Sequence, residues 1–387
     1  MNILLVLTGG TICTSVRDGL RSLDTDAASL RLVETFRKSD SPFAASARFT
    51  VGERFHTLSE NMTVSVWNRM VDYLRSVDFS AFDGVIVAHG TDTLAYTASM
   101  FALLLAGCGV PVVFVSSNAP LEHGDARANG HANFRAAAEC IGYGIAPGVY
   151  VAYRNITDRR MYLHYACHLK QCGDYSEDFH SVGALDITEL SPETLSAFPV
   201  TVAPSAPLLR LLDAPLSDCV LHIRPYVGIR YDAYRVESFR AVLHGTYHSG
   251  TACANDFGAS RDDSGASRND SGASRNDSGA SRNDSGAADA DGIRPDTYGP
   301  GSVRYLLDRC ADANTDLYLS PAWNQGELYD TVPVILNHTR NGRRVIPLRG
   351  MSAETAYCKL LLYYSCAAVR ERIPDFLTCD FCGEMIE

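Results

Sequence analysis

Short, uninterrupted apolar runs recur along the first half of this chain, and each is followed by a polar loop and a helix-like segment. A strand that is apolar along its whole length is buried on both faces, which is typical of a parallel sheet covered by helices. Such runs occupy residues 2–7, 84–88, 111–115 and 149–153, a further strand is predicted at 48–52, and helices are predicted at 63–76, from residue 94 and around 126–140. Alternating strands and helices indicate an α/β protein. We therefore predict a larger N-terminal α/β domain with a mostly parallel sheet.

The rest of the chain predicts a second, smaller α/β domain. A chain of 387 residues is long enough for two domains, and the stretch 190–217, with five prolines, is typical of a connection between them. We place the first domain at 1–195, the linker at 196–217 and a Rossmann-like C-terminal α/β domain at 218–387. Strands are predicted in it near 219–223, 240–243, 316–320 and 333–336, and a last helix at 352–368.

A low-complexity tract interrupts the second domain. From Gly258 the unit GASRDDS is followed by three copies of GASRNDS, which end at Gly286-Ala287. Alanine is the only apolar residue in the unit, and Gly, Ser, Asn and Asp disfavour a helix, so the period of seven does not indicate a coiled coil. A segment with nothing to bury stays disordered. We predict a disordered insertion at 258–292 without a catalytic role.

Composition argues against several classes of protein. A formal charge of −11 and the absence of a basic stripe argue against a protein that binds nucleic acid or anionic membranes. The N-terminus begins MNILLVLTGG, with no basic region and with an apolar stretch too short for a signal peptide or a membrane span. We expect a cytoplasmic protein that binds neither nucleic acid nor membranes.

The twelve cysteines are scattered, and many lie within apolar segments. In a cytosolic chain of this size, buried thiols explain them better than a disulfide framework does. Cys379 and Cys382 have CxxC spacing, but no second pair of cysteines or histidines accompanies them. We therefore predict no metal.

Two threonine-containing loops follow predicted strands. TGGTI (8–12) leaves the first strand, and its two glycines allow a ligand to approach the backbone closely. AHGTDT (88–93) follows another strand and holds a glycine, two hydroxyls, a carboxylate and an imidazole. Ligands of α/β sheets bind beyond the carboxyl ends of the strands. Taken alone, the first loop could be an ordinary glycine-rich turn, and Asp92 could be a helix cap.

Together the two loops resemble the signature motifs of the bacterial-type L-asparaginase family, threonine amidohydrolases that also include glutaminases. The resemblance extends along most of the chain. LSENMT (58–63) resembles the family's serine-bearing third loop, SSNAP (116–120) its Gly-Ser-Gln-x-Pro stretch, and MSAE (351–354) with Lys359-Leu360 the start of its C-terminal helix. The resemblance implies a catalytic N-terminal domain, no cofactor, a protein closer to the cytoplasmic type, and a homodimer or homotetramer.

The resemblance also implies roles for individual residues. Thr11 would attack the side-chain amide carbonyl of the substrate and give a β-aspartyl ester. Thr91 would be the second catalytic threonine, and Asp92 would bind the substrate's α-ammonium group. The implied substrate-binding residues are Gly10, Ser59 at the α-carboxylate, Glu60, Gly90, Thr91, Asp92 and Ser117 in the amide pocket, with His89 as structural support. Backbone amides near Gly10 and Thr91 would stabilise the oxyanion.

The family's catalytic lysine has two candidate positions in this chain. Counting back from Phe179, which resembles a family phenylalanine, places Lys170 there, and we assign Lys170 to the catalytic set. A shift of one residue would place Gln171 there instead, and Lys170 would then be a solvated surface lysine.

Two departures from the family pattern concern closure of the site. The tyrosine of the family's mobile loop is replaced by Gly19-Leu20, within a polar stretch (13–24) that we expect to be mobile. The family's glycine-rich loop, which supplies an asparagine across the dimer interface, is replaced by GTYHSG (245–250). Tyr247 and His248 could reach the pocket of a neighbouring subunit, but we expect them to pack in the core. The substrate therefore need not be asparagine itself.

The leading hypothesis is a cytoplasmic, cofactor-free amidohydrolase that converts L-asparagine to L-aspartate and ammonia. A catalytically weak relative that binds an acidic amino acid remains open, as does an amidase on glutamine or another amide, because a difference of one methylene changes recognition by only about 1–3 kcal/mol. The amidase component of a tRNA-dependent amidotransferase is expected least. That role usually brings an extra N-terminal domain, and the first strand begins here at residue 2.

Overall fold

The computed structural model describes residues 1–18, 20–123, 128–198, 206–255, 298–322 and 328–386. Within these ranges the strands are β1 (Asn2–Gly9), β2 (Thr14–Arg17), β3 (Leu20–Leu23), β4 (Arg48–Thr57), β5 (Gly84–Ala88), β6 (Pro111–Val115), β7 (Gly148–Arg154), β8 (Met161–Tyr165), β9 (Leu169–Lys170), β10 (His180–Ser181), β11 (Leu185–Asp186), β12 (Val220–Ile223), β13 (Ala241–Gly245), β14 (Asp316–Ala322), β15 (Thr339–Arg340), β16 (Arg343–Arg344) and β17 (Ile346–Arg349). The helices are α1 (Thr25–Arg37), α2 (Val64–Ser76), α3 (Leu94–Leu105), α4 (Gly130–Gly142), α5 (Pro192–Ser196), α6 (Val303–Asp312), α7 (Thr331–Asn337), α8 (Ala353–Ser365) and α9 (Ala367–Arg372). No helix in the described ranges has the length and apolar character needed to cross a bilayer.

The larger sheet has seven strands in the order β11-β8-β7-β6-β5-β1-β4. Strands β4, β1, β5, β6 and β7 run parallel, whereas β8 is antiparallel to β7 and β11 is antiparallel to β8. β1 lies between β4 and β5, so the chain continues first to one side of β1 and later to the other. This mostly parallel sheet, with helices between its strands, confirms the predicted α/β fold class.

The central strands of this sheet are buried on both faces. Every residue of β5 and β6 is buried, as are all residues of β1 after Asn2. Removing a large aliphatic side chain from water stabilises a fold by about 1.5–3 kcal/mol. The continuous apolar runs in the sequence therefore belong to strands that have no solvent-facing side.

The smaller sheet has four parallel strands in the order β12-β13-β14-β17 and agrees with the predicted fold class. The strand predicted at 333–336 was wrong, because these residues lie in α7 and β17 supplies the fourth strand. A short apolar run does not by itself distinguish a strand from a helix. Pro333 also fits the first helical turn, where its missing N–H costs no hydrogen bond. The domain boundaries placed at 195 and 217 stay predictions.

Two predicted segments lie partly or wholly outside the described residues. Residues 199–205 of the predicted linker are not described, and Leu208–Arg210 forms a short 3-10 helix. The insertion predicted at 258–292 falls entirely outside the described residues. On its flanks, the amide of Val303 donates to the carbonyl of Cys253 at 2.8 Å. The chain segments that lead into and out of the insertion therefore meet.

None of the twelve cysteines forms a disulfide, and Cys253 alone among them is exposed. In the CxxC pair, Cys382 is buried and Cys379 is half-buried. Within the described part of the chain, no three or more His, Cys, Asp or Glu residues are grouped so that they could hold a metal ion. Most thiols thus pack as small apolar side chains, as their sequence surroundings indicate.

A buried ion pair holds the C-terminal segment to α8. Lys359 and Glu384 form this pair, and neither side chain is accessible to solvent. The ammonium also donates to the carbonyl of Cys379 at 2.7 Å, and the carboxylate accepts the amides of Phe381 and Cys382 at 3.0 and 2.7 Å. Burial raises the pKa of Glu384, but the Lys359 charge and these amides together hold it below its ordinary value. Both charges are therefore compensated inside the core.

Candidate active site

The four loops that carry the predicted site are neighbours at the carboxyl edge of the larger sheet. They follow β4, β1, β5 and β6, which are adjacent strands in that order. Parallel strands end at the same edge, so these loops lie side by side. In open α/β sheets, ligands bind at the place where successive connections diverge to opposite sides of a strand. Here that place is the end of β1.

Three of these loops touch each other through glycines. Gly10 has a φ of 72°, and a Cβ built on it would lie 2.1 Å from the Cα of Gly90. A Cβ on Gly90 would lie 2.4 Å from the Oγ of Ser59. The amide of Gly10 also donates to the carbonyl of Thr57, at the end of β4, at 3.1 Å. Glycine is therefore needed where the loops approach too closely for a side chain.

Each of the two contacting glycines is followed by a half-buried threonine, Thr11 or Thr91. The Thr11 carbonyl accepts the hydroxyl of Thr14 at 2.8 Å, and the Thr91 carbonyl accepts the side-chain amide of Gln171 at 2.9 Å. Neither threonine hydroxyl has a hydrogen-bond partner among the described residues. The two backbones are thus held in place, while the two hydroxyls are free to contact a ligand.

Ser59 and Asp92 are joined by two hydrogen bonds. The Ser59 hydroxyl donates to Oδ2 of Asp92 at 2.9 Å and accepts the Asp92 amide at 3.3 Å. Ser59 is buried, whereas Asp92 is exposed and forms no ion pair with any described residue. The N-cap of α3 is Thr93, so Asp92 does not cap that helix. Its carboxylate is free to bind a cationic group by a charge-assisted hydrogen bond.

Gln171, and not Lys170, faces the loop that contains Thr91. Nε2 of Gln171 donates to the Thr91 carbonyl, and its Oε1 accepts the amide of Ala95 at 3.4 Å. Lys170 is exposed at the end of β9, and its ammonium has no hydrogen bond or ion pair with a described residue. The structure therefore does not bring Lys170 to the other predicted site residues. The only sequence signal for Gln171 was the one-residue ambiguity in counting back from Phe179.

Three titratable groups beside these loops are neutral near pH 7. His89 is fully buried with Nδ1 2.7 Å from the Gly90 carbonyl oxygen, and burial lowers its pKa to about 4. Burial raises the pKa of Cys13 to about 12. The pKa of Cys172 is also raised to about 12, mainly by burial and to a smaller extent by nearby carboxylates. Both cysteines are therefore thiols, which are poor nucleophiles. The geometry agrees with His89 as structural support, and it favours the hydroxyls as nucleophile candidates.

The other predicted residues lie at the margin of this cluster. Ser117 is buried, and its hydroxyl donates to the carbonyl of Ala119 at 2.5 Å rather than to one of the three loops. Glu60 is exposed, one position beyond Ser59. The loop after β6 is fixed by a contact that sequence reasoning missed, in which the side-chain oxygens of Asn118 and Asn129 each accept the other's backbone amide at 3.0 Å. No motif in the sequence connects these two asparagines.

The stretch expected to be a mobile loop contains a β-hairpin, in which β2 and β3 pair antiparallel. Gly19 lies outside the described residues, and Leu20 is 74% exposed. The amide of Val16 donates to Glu122 at 3.0 Å, and Glu122 forms an ion pair with Arg31 at 2.7 Å. The hairpin is thereby attached both to the segment after β6 and to α1.

The loop after β13 also differs from the expectation. Tyr247 and His248 are exposed, so the prediction that they pack in the core was wrong. The hydroxyl of Thr246 donates to the carbonyl of Pro321 at 2.7 Å, which fixes the start of the loop and leaves the next two side chains outside the core.

The fold and this site together define an α/β enzyme whose polar groups are suited to amide hydrolysis. Residues 2–189 match the family model described as "Asparaginase, N-terminal", and this N-terminal part of the chain accordingly belongs to the asparaginase family.

Curated relatives share part of this region. The chain is 29% identical over 185 residues to a glutamyl-tRNA(Gln) amidotransferase subunit of Halobacterium salinarum, a match that covers 47% of this chain and 41% of that protein. It is 33% identical over 141 residues to the protein of the same name from Methanococcus maripaludis, which covers 35% of this chain and 32% of that one. The matched stretch thus spans less than half the length of these relatives.

Solved structures share the whole fold. The thermostable L-asparaginase from Thermococcus kodakarensis has a TM-score of 0.63 and 18% identity, with 100% of both chains covered. L-asparaginase I from Vibrio cholerae has a TM-score of 0.64 and 20% identity, with 100% of this chain and 99% of that chain covered. At these identities the likeness concerns the fold.

Proposed function

We propose that this protein hydrolyses L-asparagine to L-aspartate and ammonia. The observation that carries the proposal is the contact between Gly10 and Gly90, which brings two Gly-Thr pairs together. Both threonine hydroxyls are without a partner among the described residues. The match of residues 2–189 to the asparaginase family supports an amide substrate, and the two solved relatives above are named L-asparaginases.

In the proposed reaction, Oγ of Thr11 attacks the carbon of the side-chain amide. The C–N bond of the tetrahedral intermediate breaks, ammonia leaves with the hydroxyl proton, and a β-aspartyl ester of Thr11 remains. Backbone amides near Gly10 and Thr91 stabilise the oxyanion, a contribution of about 3–4 kcal/mol per well-placed donor in other enzymes. Water activated at Thr91 then attacks the ester, releases L-aspartate and restores the hydroxyl.

The α-substituents of the substrate are assigned to the hydrogen-bonded pair Ser59 and Asp92. The exposed Asp92 carboxylate binds the α-ammonium group, and Ser59 binds the α-carboxylate. The proposed pocket also includes Glu60, beside Ser59, and Ser117, at the end of β6. The catalytic assignment of Lys170 stays a prediction from spacing, without a contact that supports it.

Ammonia release from L-asparagine, L-glutamine and D-asparagine tests the proposal. We expect L-asparagine to have the highest kcat/KM. Thr11→Ala and Thr91→Ala should each lower kcat by about 10³-fold or more, whereas Thr50→Ala, at an exposed position of β4, should leave it unchanged. Hydroxylamine in place of water should trap a β-aspartyl hydroxamate with the unmodified protein. Undiminished turnover in Thr11→Ala would contradict the assigned nucleophile.

A second candidate function is binding of an acidic amino acid without hydrolysis. It is favoured by the absence of a cation paired with Thr91 or Asp92 among the described residues. A threonine hydroxyl is a weak nucleophile unless a neighbouring group takes its proton. Calorimetric binding of L-aspartate, without ammonia release from any amide tested, would favour this function.

Substrate scope, location and assembly also belong to the proposal. The relatives named as glutamyl-tRNA(Gln) amidotransferase subunits keep glutamine among the amides to be tested.

A cytoplasmic location is supported by a third solved relative, the probable cytoplasmic L-asparaginase from Campylobacter jejuni. It has a TM-score of 0.61 and 15% identity, with 97% of this chain and 98% of that one covered. We propose a homodimer or homotetramer, which light scattering after size-exclusion chromatography would measure.

A further inference from the structure

The side-chain amide of Gln171 joins the segment after β9 to the Thr91 loop and to the start of α3. It lies directly after β9, is half-buried, and uses both of its polar atoms. Its Nε2 donates to the carbonyl of Thr91 at 2.9 Å, and its Oε1 accepts the amide of Ala95 at 3.4 Å. An amide that donates to a carbonyl and accepts from an amide has only one favourable orientation. The amide of Leu94 also donates to the Thr91 carbonyl, at 3.3 Å, so Gln171 and this backbone bond together fix the Thr91 loop relative to the start of α3.

The hydrogen bond to the Ala95 amide provides an acceptor for a backbone N–H in the first turn of α3. The first amides of a helix have no acceptor within the helix, and the N-cap of α3, Thr93, makes no side-chain capping hydrogen bond. The Thr93 hydroxyl instead donates to the carbonyl of Ser59 at 2.9 Å. Gln171 thus supplies from another segment a capping acceptor that the helix lacks locally.

Besides the backbone hydrogen bonds of His89 and Leu94, two independent sets of side-chain hydrogen bonds from other segments hold the loop after β5. Ser59 binds Asp92 and Thr93, so these contacts hold the part of the loop assigned to the substrate's α-substituents. Gln171 binds the carbonyl of Thr91, so it holds the residue assigned to the hydrolytic water. Removing the second set leaves the first intact.

We propose that Gln171 is a positioning residue that fixes Thr91 for the chemical step and leaves substrate binding to Ser59 and Asp92. The inference rests on the proposed function, because the role of Thr91 does. It predicts that loss of the Gln171 contacts lowers kcat with little change in KM. A displacement of about 1 Å at a reacting group can lower a rate by about 10²-fold.

Gln171→Met and Gln171→Glu test the two hydrogen bonds. Met keeps the length and apolar packing of the side chain and loses both bonds, whereas Glu keeps the acceptor for Ala95 and places an oxygen against the Thr91 carbonyl. We expect both to lower kcat for L-asparagine by about 10- to 100-fold with KM changed by less than about 3-fold. Lys170→Met tests the competing assignment of the neighbouring residue. Lys38→Met, at an exposed position at the end of α1, is the control and should leave both parameters unchanged.

Two kinetic results would overturn the inference: an unchanged kcat in Gln171→Met, or a loss of turnover confined to Lys170→Met. The inference would also be overturned if kcat/KM fell entirely through an increase in KM, with kcat unchanged, since that result assigns Gln171 to substrate binding. Thermal unfolding of each variant identifies any that do not fold. If Gln171→Met does not fold, Gln171→Glu, which retains the acceptor for the Ala95 amide, is compared with the unmodified protein in its place.

Failure of the proposed function is distinguishable from failure of this inference. If the unmodified protein releases no ammonia from any amide, hydrogen exchange of the segment 91–95 measures the contacts directly. Faster exchange in Gln171→Met than in Lys170→Met supports the positioning role. Equal exchange in the two variants overturns it.

Discussion

At the scale of single residues, Gly10 is the position of the site that we expect to tolerate substitution least. It combines a φ of 72° with a Cβ position 2.1 Å from the backbone of Gly90. We expect Gly10→Ala to lower the free energy of unfolding by about 2–6 kcal/mol, because a backbone with φ 72° and ψ −173° costs a residue with a side chain about 1–3 kcal/mol and overpacking costs about 1–3 kcal/mol. Turnover should be lost as well, since Gly90 must move away. Urea unfolding and ammonia release measure the two effects.

Gly144→Ala separates conformational strain from the contact. Gly144 has a φ of 78°, and nothing lies within 4 Å of a Cβ built on it. We expect it to cost only about 1–2 kcal/mol and to leave turnover unchanged. Equal losses of stability in Gly10→Ala and Gly144→Ala would show that the two loops do not touch.

The same scale shows where sequence reasoning about the site succeeds. The loop motifs predict that Thr11, Ser59 and Asp92 belong together, because residues beyond the ends of adjacent parallel strands meet whatever the details of the loops. Which of Lys170 and Gln171 faces inward could not be predicted. Successive side chains of an extended segment point to opposite sides, so a slip of one residue exchanges the two.

At the scale of secondary-structure elements, prediction was most reliable where burial is two-sided. β5 and β6 are buried at every position, and their uninterrupted apolar runs indicate this directly. The hairpin of β2 and β3 was not predicted, because its sequence is polar and its tertiary contact to Glu122 comes from a distant segment. The antiparallel strands β8 and β11 were not predicted either, because strand direction depends on how the chain returns to the sheet and not on local sequence.

The repeat insertion provides a prediction at the same scale. Val303 donates to Cys253, so the chain is already closed on both sides of the insertion. Deleting residues 258–287 should leave turnover unchanged and alter the free energy of unfolding by only about 1 kcal/mol, because loop closure depends on the logarithm of loop length. Calorimetric melting and ammonia release would measure these quantities.

A replacement of the same length makes the control for that deletion. A Gly/Ser segment in place of residues 258–287 keeps the loop length and removes the repeated sequence. If the deletion abolished turnover in a folded protein and the replacement did not, loop length would matter. If both abolished it, the repeat itself would have a role in activity, contrary to the prediction.

At the scale of the whole molecule, the ion pair between Lys359 and Glu384 fastens the C-terminal segment to the core. Glu384→Gln leaves the ammonium buried without a counter-charge, and we expect it to lower the free energy of unfolding by about 3–5 kcal/mol. The double variant Lys359→Met/Glu384→Gln removes both charges and should recover most of this loss. Urea unfolding of the two variants and the unmodified protein measures the coupling.

An exposed pair serves as the comparison. Arg160 and Asp186 lie 2.9 Å apart, with 61% and 37% of their side chains exposed. Arg160→Ala should cost less than about 1 kcal/mol. If Glu384→Gln cost no more than Arg160→Ala, the buried pair would not anchor the C-terminal segment.

The position of β1 in the larger sheet has a consequence for synthesis on the ribosome. β1 is translated before both of its partners, since β4 begins at Arg48 and β5 at Gly84. Until β5 has emerged, the nascent chain carries an apolar strand with unpaired edges, which is a template for aggregation. The interval between the synthesis of β1 and that of β5 is therefore the one in which the nascent chain is most exposed to aggregation, and the two Gly-Thr pairs can meet only after it ends.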